Sequence, residues 1–287
     1  MKYTATIFFV FFFTSALHAQ VYLNVSGGII NYGGDLQNKN FTLNQAGSAF
    51  GFGLTYRFSD YFSVAGTYTG GKIKASDVYN SSRNTKRNLS FYSHISEGSI
   101  LLEAQLYNVP GTAKFTPYIF AGIGVYSFNP YTFDTSGRKV FLQPLRTEGQ
   151  GLAAYPDRKI YNLTQLSIPF GIGFRYALSE TVLVSAEISL RKLFTDYLDD
   201  ASTAYADTAL LRLANGPLSA DLSFRGDELK PPTNFVSGSR RGNPDHNDNY
   251  YTGLIKLSFS LNNFNNANNS SFSRRTQKQT GCPKKVL

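Results

Sequence analysis

The chain has 287 residues; 15% are aromatic, 16% are charged and the formal net charge is +9. Soluble domains usually carry about 25% charged residues, so the composition disfavours an ordinary soluble domain. Five basic residues and no acid fall in residues 263–287. The rest is only mildly basic, and no recognisable binding fold accompanies it, so we expect no nucleic-acid partner. The single cysteine, Cys282, excludes an internal disulfide.

The N-terminus has the three parts of a secretory signal peptide. Lys2 is followed by an apolar run over residues 7–13 and then by small residues up to Ala19, so we predict cleavage after residue 19. The apolar run is too short to cross a bilayer as a helix, and no later segment approaches about 20 unbroken apolar residues. The sequence therefore predicts an exported protein without a helical membrane anchor.

Eight later segments alternate apolar and polar residues with a period of two, which is the period of a β-strand. The clearest runs from Gln165 to Leu178, where Ile168, Phe170 and Ile172 share one face. About ten residues are enough for a tilted strand to cross a membrane. The predicted strands cover residues 21–30, 49–58, 61–73, 89–107, 115–128, 165–178, 182–190 and 251–261.

The connections between these segments alternate between short and long. Residues 59–60, 108–114 and 179–180 form short connections, whereas residues 31–44, 74–88, 129–161 and 194–249 form long ones. This alternation is typical of an outer-membrane up-and-down barrel, with short turns in the periplasm and long loops outside the cell. We therefore predict an all-β, eight-stranded antiparallel transmembrane barrel over residues 20–262, with periplasmic termini and an Asn/Ser-rich, then basic, tail over residues 263–287.

A soluble barrel with an apolar interior is the alternative architecture. Its solvated face would be crowded with charged residues, whereas the polar face here is mostly Ser, Gly, Ala and Thr. An eight-stranded lumen has room only for side chains. We therefore expect the few charges on that face to form a lumen network, acting as an electrostatic plug or, alternatively, as a proton or substrate path: Arg57, Glu103, Arg175, Glu187, Arg191 and Lys256.

Two further features of the strands lead to structural expectations. Aromatic residues near the short-turn ends predict an interfacial girdle made of Tyr56, Phe58, Phe62, Tyr107, Tyr118 and Tyr176. Pro169 removes a backbone donor inside a strand, so we expect a local bulge there.

Few residues suggest a metal-binding or catalytic role. The acidic stretch 196–200, followed by Asp207, lacks the ligand spacing of a calcium loop, so we interpret it as a solvated loop. His94 with Ser96 is a conceivable lipid-modifying pair, yet no Gly-x-Ser-x-Gly motif accompanies it. We expect no catalytic residue, metal or cofactor and no small-molecule substrate; the protein is predicted not to be an enzyme.

Four ordered strings in the loops carry a more specific signal. They are residues 31–36 (NYGGDL), residues 142–159 with TEGQG at 147–151, residues 191–203 (RKLFTDYLDDAST), and residues 241–244 (RGNP) followed by Asp248. Together they resemble the PorG-like outer-membrane barrels associated with type IX secretion. The resemblance spans about residues 21–261 and implies a non-enzymatic membrane anchor for a periplasmic ring of PorK-like lipoproteins and PorN-like partners.

Partner contact would then fall on the periplasmic turns and the tail. The candidate contact residues are Ser59, Asp60, Pro110, Glu180, Arg274, Arg275, Lys284 and Lys285. The tail is alternatively a disordered, solvated segment. An adhesion barrel that uses its long external loops is the alternative function, and outer-membrane lipid is an expected partner in both cases.

Overall fold

The computed structural model describes residues 20–37, 42–80 and 85–262. The predicted signal peptide and the tail, including Arg274, Arg275, Lys284 and Lys285, lie outside the described residues.

Ten strands form one antiparallel sheet, and eight of them close into a barrel. The order around the barrel is β1, β2, β3, β4, β5, β8, β9 and β10, with β10 paired back to β1. The predicted eight-stranded fold is therefore confirmed. The strands are β1 Gln20–Gly33, β2 Gly47–Arg57, β3 Phe62–Ser76, β4 Ser90–Gln105, β5 Phe115–Ser127, β6 Tyr131–Phe133, β7 Lys139–Phe141, β8 Thr164–Ala177, β9 Val182–Leu193 and β10 Asn249–Ser260.

The long connections contain elements that the period-two pattern does not predict. Strands β6 and β7 form a small hairpin that adds to β4 through the pairing of Tyr92 with Tyr131. The connection between β9 and β10 holds helices α1 (Thr208–Asn215) and α2 (Pro217–Ser223). Single 3₁₀ turns lie at Asp77–Tyr79, Gln143–Leu145 and Gly226–Glu228. None of the helices in the described ranges is long and apolar enough to span a membrane.

The two faces of the barrel wall differ as the alternation predicts. Ile172, in the middle of β8, is 54% exposed, and Phe170 and Leu257 are also exposed. The neighbouring Ser167 and Arg175 are buried on the inner face. Apolar residues that face outwards all around a closed sheet require a lipid environment, because water would leave a large apolar surface unburied.

The register is continuous past Pro169. Ala121 pairs with Phe170 and Gly124 pairs with Ser167 at the same offset, so the bulge expected at this proline is wrong. The ladder between β5 and β8 is instead interrupted at residues 122–123, opposite a residue that offers no N–H.

The two ends of the barrel are built differently. At one end, which we call the turn end, short connections join β2 to β3, β4 to β5 and β8 to β9. At the opposite, loop end, the long connections pack onto the barrel and form a cap. The largest apolar cluster continues from the wall residues Ile30, Phe91 and Tyr250 into the cap residues Leu142 and Leu198. The barrel and its cap therefore share one core.

Candidate functional site

The lumen near the turn end is filled by an ion cluster centred on Glu103 of β4. Arg175 Nη2 donates to Glu103 Oε2 at 2.6 Å, and Lys256 Nζ donates to Glu103 Oε1 at 3.2 Å. Lys256 also forms an ion pair with Glu187. Gln105 Oε1 accepts from Arg175 at 2.8 Å and from Arg57 at 3.1 Å. Five of the six predicted lumen charges therefore meet in one network.

The sixth, Arg191, lies in a second cluster closer to the cap. Its Nε donates to Glu97 Oε1 at 3.2 Å. Tyr250 and Ser167 donate to Glu97 Oε2 at 2.6 and 2.8 Å. Glu97 was not among the predicted residues, although its odd-numbered position puts it on the same face of β4 as Glu103. That parity is the sequence signal that could have identified it.

Tyr118 was assigned wrongly to the interfacial girdle. Its ring is buried in the lumen, where the hydroxyl donates to Glu187. A Cβ at Gly173 would come within 2.5 Å of this ring, so the small residue opposite on β8 makes the inward position possible. By contrast, Tyr56, Phe62, Tyr107 and Tyr176 face outwards.

These clusters leave little free space across the lumen. A void lined by Thr67, Phe120, Glu187, Arg191 and Lys256 has a volume of about 30 Å³, which holds no more than one or two waters. Buried charges that are paired and hydrogen-bonded lock side chains in place. The arrangement favours a plugged interior over a continuous path for solutes.

The cap is organised around a buried arginine, Arg241. Its Nη1 donates to Glu148 Oε1 at 3.0 Å and also to the Asp200 carbonyl, and its Nε donates to the Ser223 carbonyl at 3.0 Å. Glu148 in turn accepts from the backbone N–H of Ser202 at 2.9 Å. One guanidinium thus joins segments that are widely separated in sequence. Three of the sequence segments singled out above meet at this arginine: residues 241–244, residues 147–151 and the acidic stretch 196–200.

The interpretation of residues 196–200 as a solvated loop is therefore wrong. Asp199 and Asp200 are buried, and Asp200 accepts from Thr147 at 2.5 Å and from Tyr161 at 2.7 Å. The physical reason is that Tyr32 of β1, Thr147 and Arg241, which are all distant in sequence, desolvate the acidic stretch together. Asp207, by contrast, caps α1 by accepting from the N–H groups of Ala209 and Leu210.

A phenol at the loop end of β1 contacts two buried carboxyls of the cap. Tyr32 Oη lies 2.6 Å from Asp199 Oδ2 and 2.9 Å from Asp248 Oδ1. A phenol has one hydrogen to donate, so both contacts can be hydrogen bonds only if one carboxyl keeps its own proton. Burial raises the pKa of Asp199 and of Asp248, and their mutual repulsion raises the pKa of Asp248 further.

Asp196 is a third acid of the cap that favours its neutral form. Its side chain is 7% exposed, and neither carboxyl oxygen has a well-formed hydrogen bond. Burial raises its pKa to about 9, against a smaller opposing effect of Ser202. Within the described ranges, no group of three acid, histidine or cysteine side chains is arranged to hold a metal ion. Burial therefore favours the protonated forms of Asp196, Asp199 and Asp248.

His94 and Ser96 do not form a catalytic pair. Both lie on the outer face of β4, but the Ser96 hydroxyl donates to Tyr68 at 2.9 Å. The His94 ring stacks on Tyr131 with centroids 6.2 Å apart. A nucleophile needs its base within hydrogen-bond reach, and the serine is directed to another partner.

The turn-end residues predicted to contact partners share one rim. Ser59 Oγ accepts from the N–H of Phe62 at 2.9 Å, and the Asp60 carbonyl accepts from Gln105 at 2.7 Å. Asp60 and Glu180 are exposed, whereas Pro110 is half-buried beside Val109. This rim therefore presents two carboxylates to the surroundings.

Comparison with known families agrees with this geometry. The model of the outer membrane protein beta-barrel domain matches residues 4–213. The chain belongs to this family. As an outer membrane protein beta-barrel domain protein, it is integral to the outer membrane. No curated protein matches the sequence.

Solved structures of small outer-membrane barrels are similar to this member of the family at low sequence identity. Neisserial surface protein A (NspA) is 11% identical with a TM-score of 0.41, covering 85% of this chain and 99% of its own. Ail of Yersinia pestis, solved with the heparin analogue sucrose octasulfate, is 7% identical with a TM-score of 0.38, covering 85% and 97%. The N-terminal barrel of Pseudomonas aeruginosa OprF is 10% identical with a TM-score of 0.37, covering 85% and 100%.

Proposed function

We propose that this barrel is a non-enzymatic, non-conducting scaffold of the outer membrane that anchors periplasmic ring proteins of a type IX-like secretion machinery. The observation that supports the proposal is the pairing of buried charges in the lumen and in the cap. Glu103 holds two cations in the lumen, and Arg241 ties the cap across the loop end. A barrel filled in this way offers its surfaces, rather than a passage, to other molecules.

The resemblance of the four loop strings to PorG-like barrels gives the proposal its specific partners. Under it, the turn end faces the periplasm and the cap faces outside. Asp60 and Glu180 at the turn-end rim, together with the basic residues of the tail, contact a PorK-like lipoprotein and PorN-like partners. The cleaved signal peptide and both periplasmic termini belong to the same proposal.

The test is deletion of the gene, followed by comparison of the proteins released by the cell. We expect secreted cargo to be retained, and we expect the full-length barrel to co-purify with the ring proteins. Asp60→Ala with Glu180→Ala, or removal of residues 270–287, should lower this co-purification. Leu213→Ala on the cap is the matched control. Normal secretion after deletion would reject the scaffold function.

An external binding barrel is the second candidate, favoured by one observation on the cap. Helix α1 presents Leu213, which is 87% exposed, and Leu210 beside it is also exposed. Exposed apolar residues on a rigid surface are typical of partner contacts. Under this alternative, Leu210→Ser with Leu213→Ser abolishes attachment of cells to their target and leaves secretion unchanged, whereas the turn-end variants leave attachment unchanged.

A further inference from the structure

The outer wall of the barrel carries an apolar groove across β3 and β4. Its volume is about 730 Å³, and its walls include Phe52, Ile100 and Val125. Two outward glycines, Gly66 and Gly98, form its floor, and a Cβ added at either would meet no atom within 4 Å. The groove is open towards the lipid because these glycines have no side chains. The large apolar side chains around them make the groove suited to an acyl chain.

A cluster of lysines and aromatic rings lies nearer the loop end, on β3, β4 and the adjoining β6–β7 hairpin; we call it the cationic cluster. Lys72 Nζ is 4.9 Å from the ring centroid of Tyr92 and 5.8 Å from that of Tyr131. Lys139 Nζ is 3.9 Å from the Tyr131 centroid and 4.7 Å from that of Phe141. Cation–π contacts hold both ammonium groups around one tyrosine ring.

The charge of this cluster is not neutralised within the described part of the chain. Neither Lys72 nor Lys139 forms an ion pair there, and Asp134 of the neighbouring hairpin is held by Arg138 at 2.8 Å. The outward side of β3 carries one more cation, Lys74, which lies opposite Tyr92. The cluster therefore presents positive charge without a counter-charge, and the complementary ligand is an anion.

The height of the cluster on the barrel indicates the source of that anion. Lys72 lies ten residues along β3 from Phe62, which is exposed near the turn end. Ten residues at about 3.3 Å each, tilted by about 40°, rise about 25 Å. The apolar band of an outer-membrane barrel has about this height. Lys72 and its register partner His94 therefore lie at the level of lipid head groups.

We propose that the β3–β4 wall binds one phosphate-bearing lipid of the leaflet at the loop end. Its phosphate contacts Lys72 and Lys139, and one of its acyl chains occupies the groove over Gly66 and Gly98. Gly98 lies four positions along β4 from His94, about 13 Å away, so one lipid molecule spans both parts. A zwitterionic lipid binds less well, because its own cation meets the uncompensated lysines.

The test reconstitutes the full-length barrel with equal amounts of phosphatidic acid and phosphatidylcholine of identical acyl chains. Native mass spectrometry then counts the lipids retained. We expect the wild-type barrel to retain phosphatidic acid at least fivefold over phosphatidylcholine. Lys72→Gln with Lys139→Gln should equalise the two lipids. Lys114→Gln with Lys159→Gln, two exposed lysines elsewhere, is the matched control and should keep the preference.

Equal retention of both lipids by the wild-type barrel, or an equal loss in both double variants, would overturn the proposal. Two further measurements distinguish binding of a whole lipid from binding of free phosphate. Gly98→Leu fills the groove, so it should lower retention of both lipids without changing their ratio. Millimolar inorganic phosphate should leave the number of retained lipids unchanged. Displacement of phosphatidic acid by phosphate would show a site for the head group alone and would contradict the role of the groove.

Discussion

Single side chains in this barrel depend on partners contributed by distant strands. Glu103 of β4 receives Arg175 from β8 and Lys256 from β10, and Ser63 from β3 donates to it at 3.2 Å. The carboxylate is buried, so its desolvation is offset only while these donors remain. The lumen network is thus a set of mutually dependent residues, and removing one charge affects the others.

Replacement of the central carboxylate tests this dependence. We expect Glu103→Gln to destabilise the barrel by about 3 kcal/mol, because Arg175 and Lys256 lose their shared counter-charge in a buried site. Urea unfolding of the reconstituted barrel measures this loss. Asp221→Asn removes a carboxylate from the exposed pair with Arg212 and should change the stability little. Equal effects of the two substitutions would contradict the central role of Glu103.

The acids of the cap predict a dependence on pH. An unfolded aspartate titrates near 4, whereas burial in the cap raises the pKa of Asp196 to about 9 and raises that of Asp199 and Asp248. Between these values the folded cap keeps protons that the unfolded chain has released. The contribution of Asp196 to the stability of the cap therefore falls as pH rises from about 4 to about 9, and it levels off above that range. Asp199 and Asp248 act in the same direction.

Hydrogen exchange of the backbone amides of residues 196–203 measures this effect. After correction for intrinsic exchange rates, we expect lower protection at pH 9 than at pH 6, and little change in the amides of β8. Asp199→Asn should reduce the difference, because it removes one of the three acids and its amide group supplies a permanent donor to Tyr32. Protection that is equal at both pH values would show that the cap does not retain protons.

At the scale of elements, the strands follow from local sequence and the cap does not. Period-two alternation predicts all eight barrel strands, because one face of each meets lipid and the other meets the lumen. The hairpin β6–β7 was not predicted, because its three-residue strands are too short to show the period-two alternation. The burial of Asp199 and Asp200 was missed because their partners Tyr32, Thr147 and Arg241 are distant in sequence, and local pattern carries no signal for such contacts.

In the lumen, too, the face on which a residue lies follows from local sequence, whereas its contacts do not. The six predicted charges follow from the parity of their strands, and the network places them in the interior. Tyr118 was misplaced because the alternation of β5 is weak. The predicted bulge at Pro169 was wrong because the ladder can lose pairing locally without an inserted residue. The partner contacts at the turn-end rim remain a prediction.

A substitution on the lipid-facing side of β8 tests the position of this strand in the membrane. Ile172 lies near the middle of β8 and faces outwards. We expect Ile172→Arg to cost about 2–4 kcal/mol of barrel stability, because a cation at the bilayer midplane loses its hydration. Unfolding in lipid vesicles measures this cost. Leu213→Arg on the cap, exposed to water, is the control and should cost little; a similar loss in both would contradict the membrane position of β8.

At the scale of the whole molecule, the barrel and its cap form one cooperative unit. The core cluster runs from Ile73 and Leu193 in the wall to Leu36 and Ala201 in the connections. Arg241 closes the cap over this core by joining three of its segments. Loosening of the cap therefore exposes part of the core that also stabilises the wall.

The neighbouring arginines 240 and 241 provide a matched test of this coupling. Arg241→Gln leaves the buried Glu148 without its cation, so we expect the unfolding temperature of the whole barrel to fall by about 5–10 °C. Arg240→Gln, at an exposed position, should shift it by less than about 2 °C. The measurement is the loss of the folded band in heated gel samples. A cap that loosened alone, with the barrel unfolding at its usual temperature, would show that the two are independent.

The pairing of the first strand with the last has a consequence for biogenesis. Tyr22 of β1 lies beside Ser260 of β10, more than two hundred positions later in the chain. The cylinder cannot be sealed until its final strand has been delivered, and contacts of such long range form slowly. During that interval both edges are unpaired and open to wrong partners. A nascent chain of this design needs an insertion machine that shields its first strand until the last one arrives.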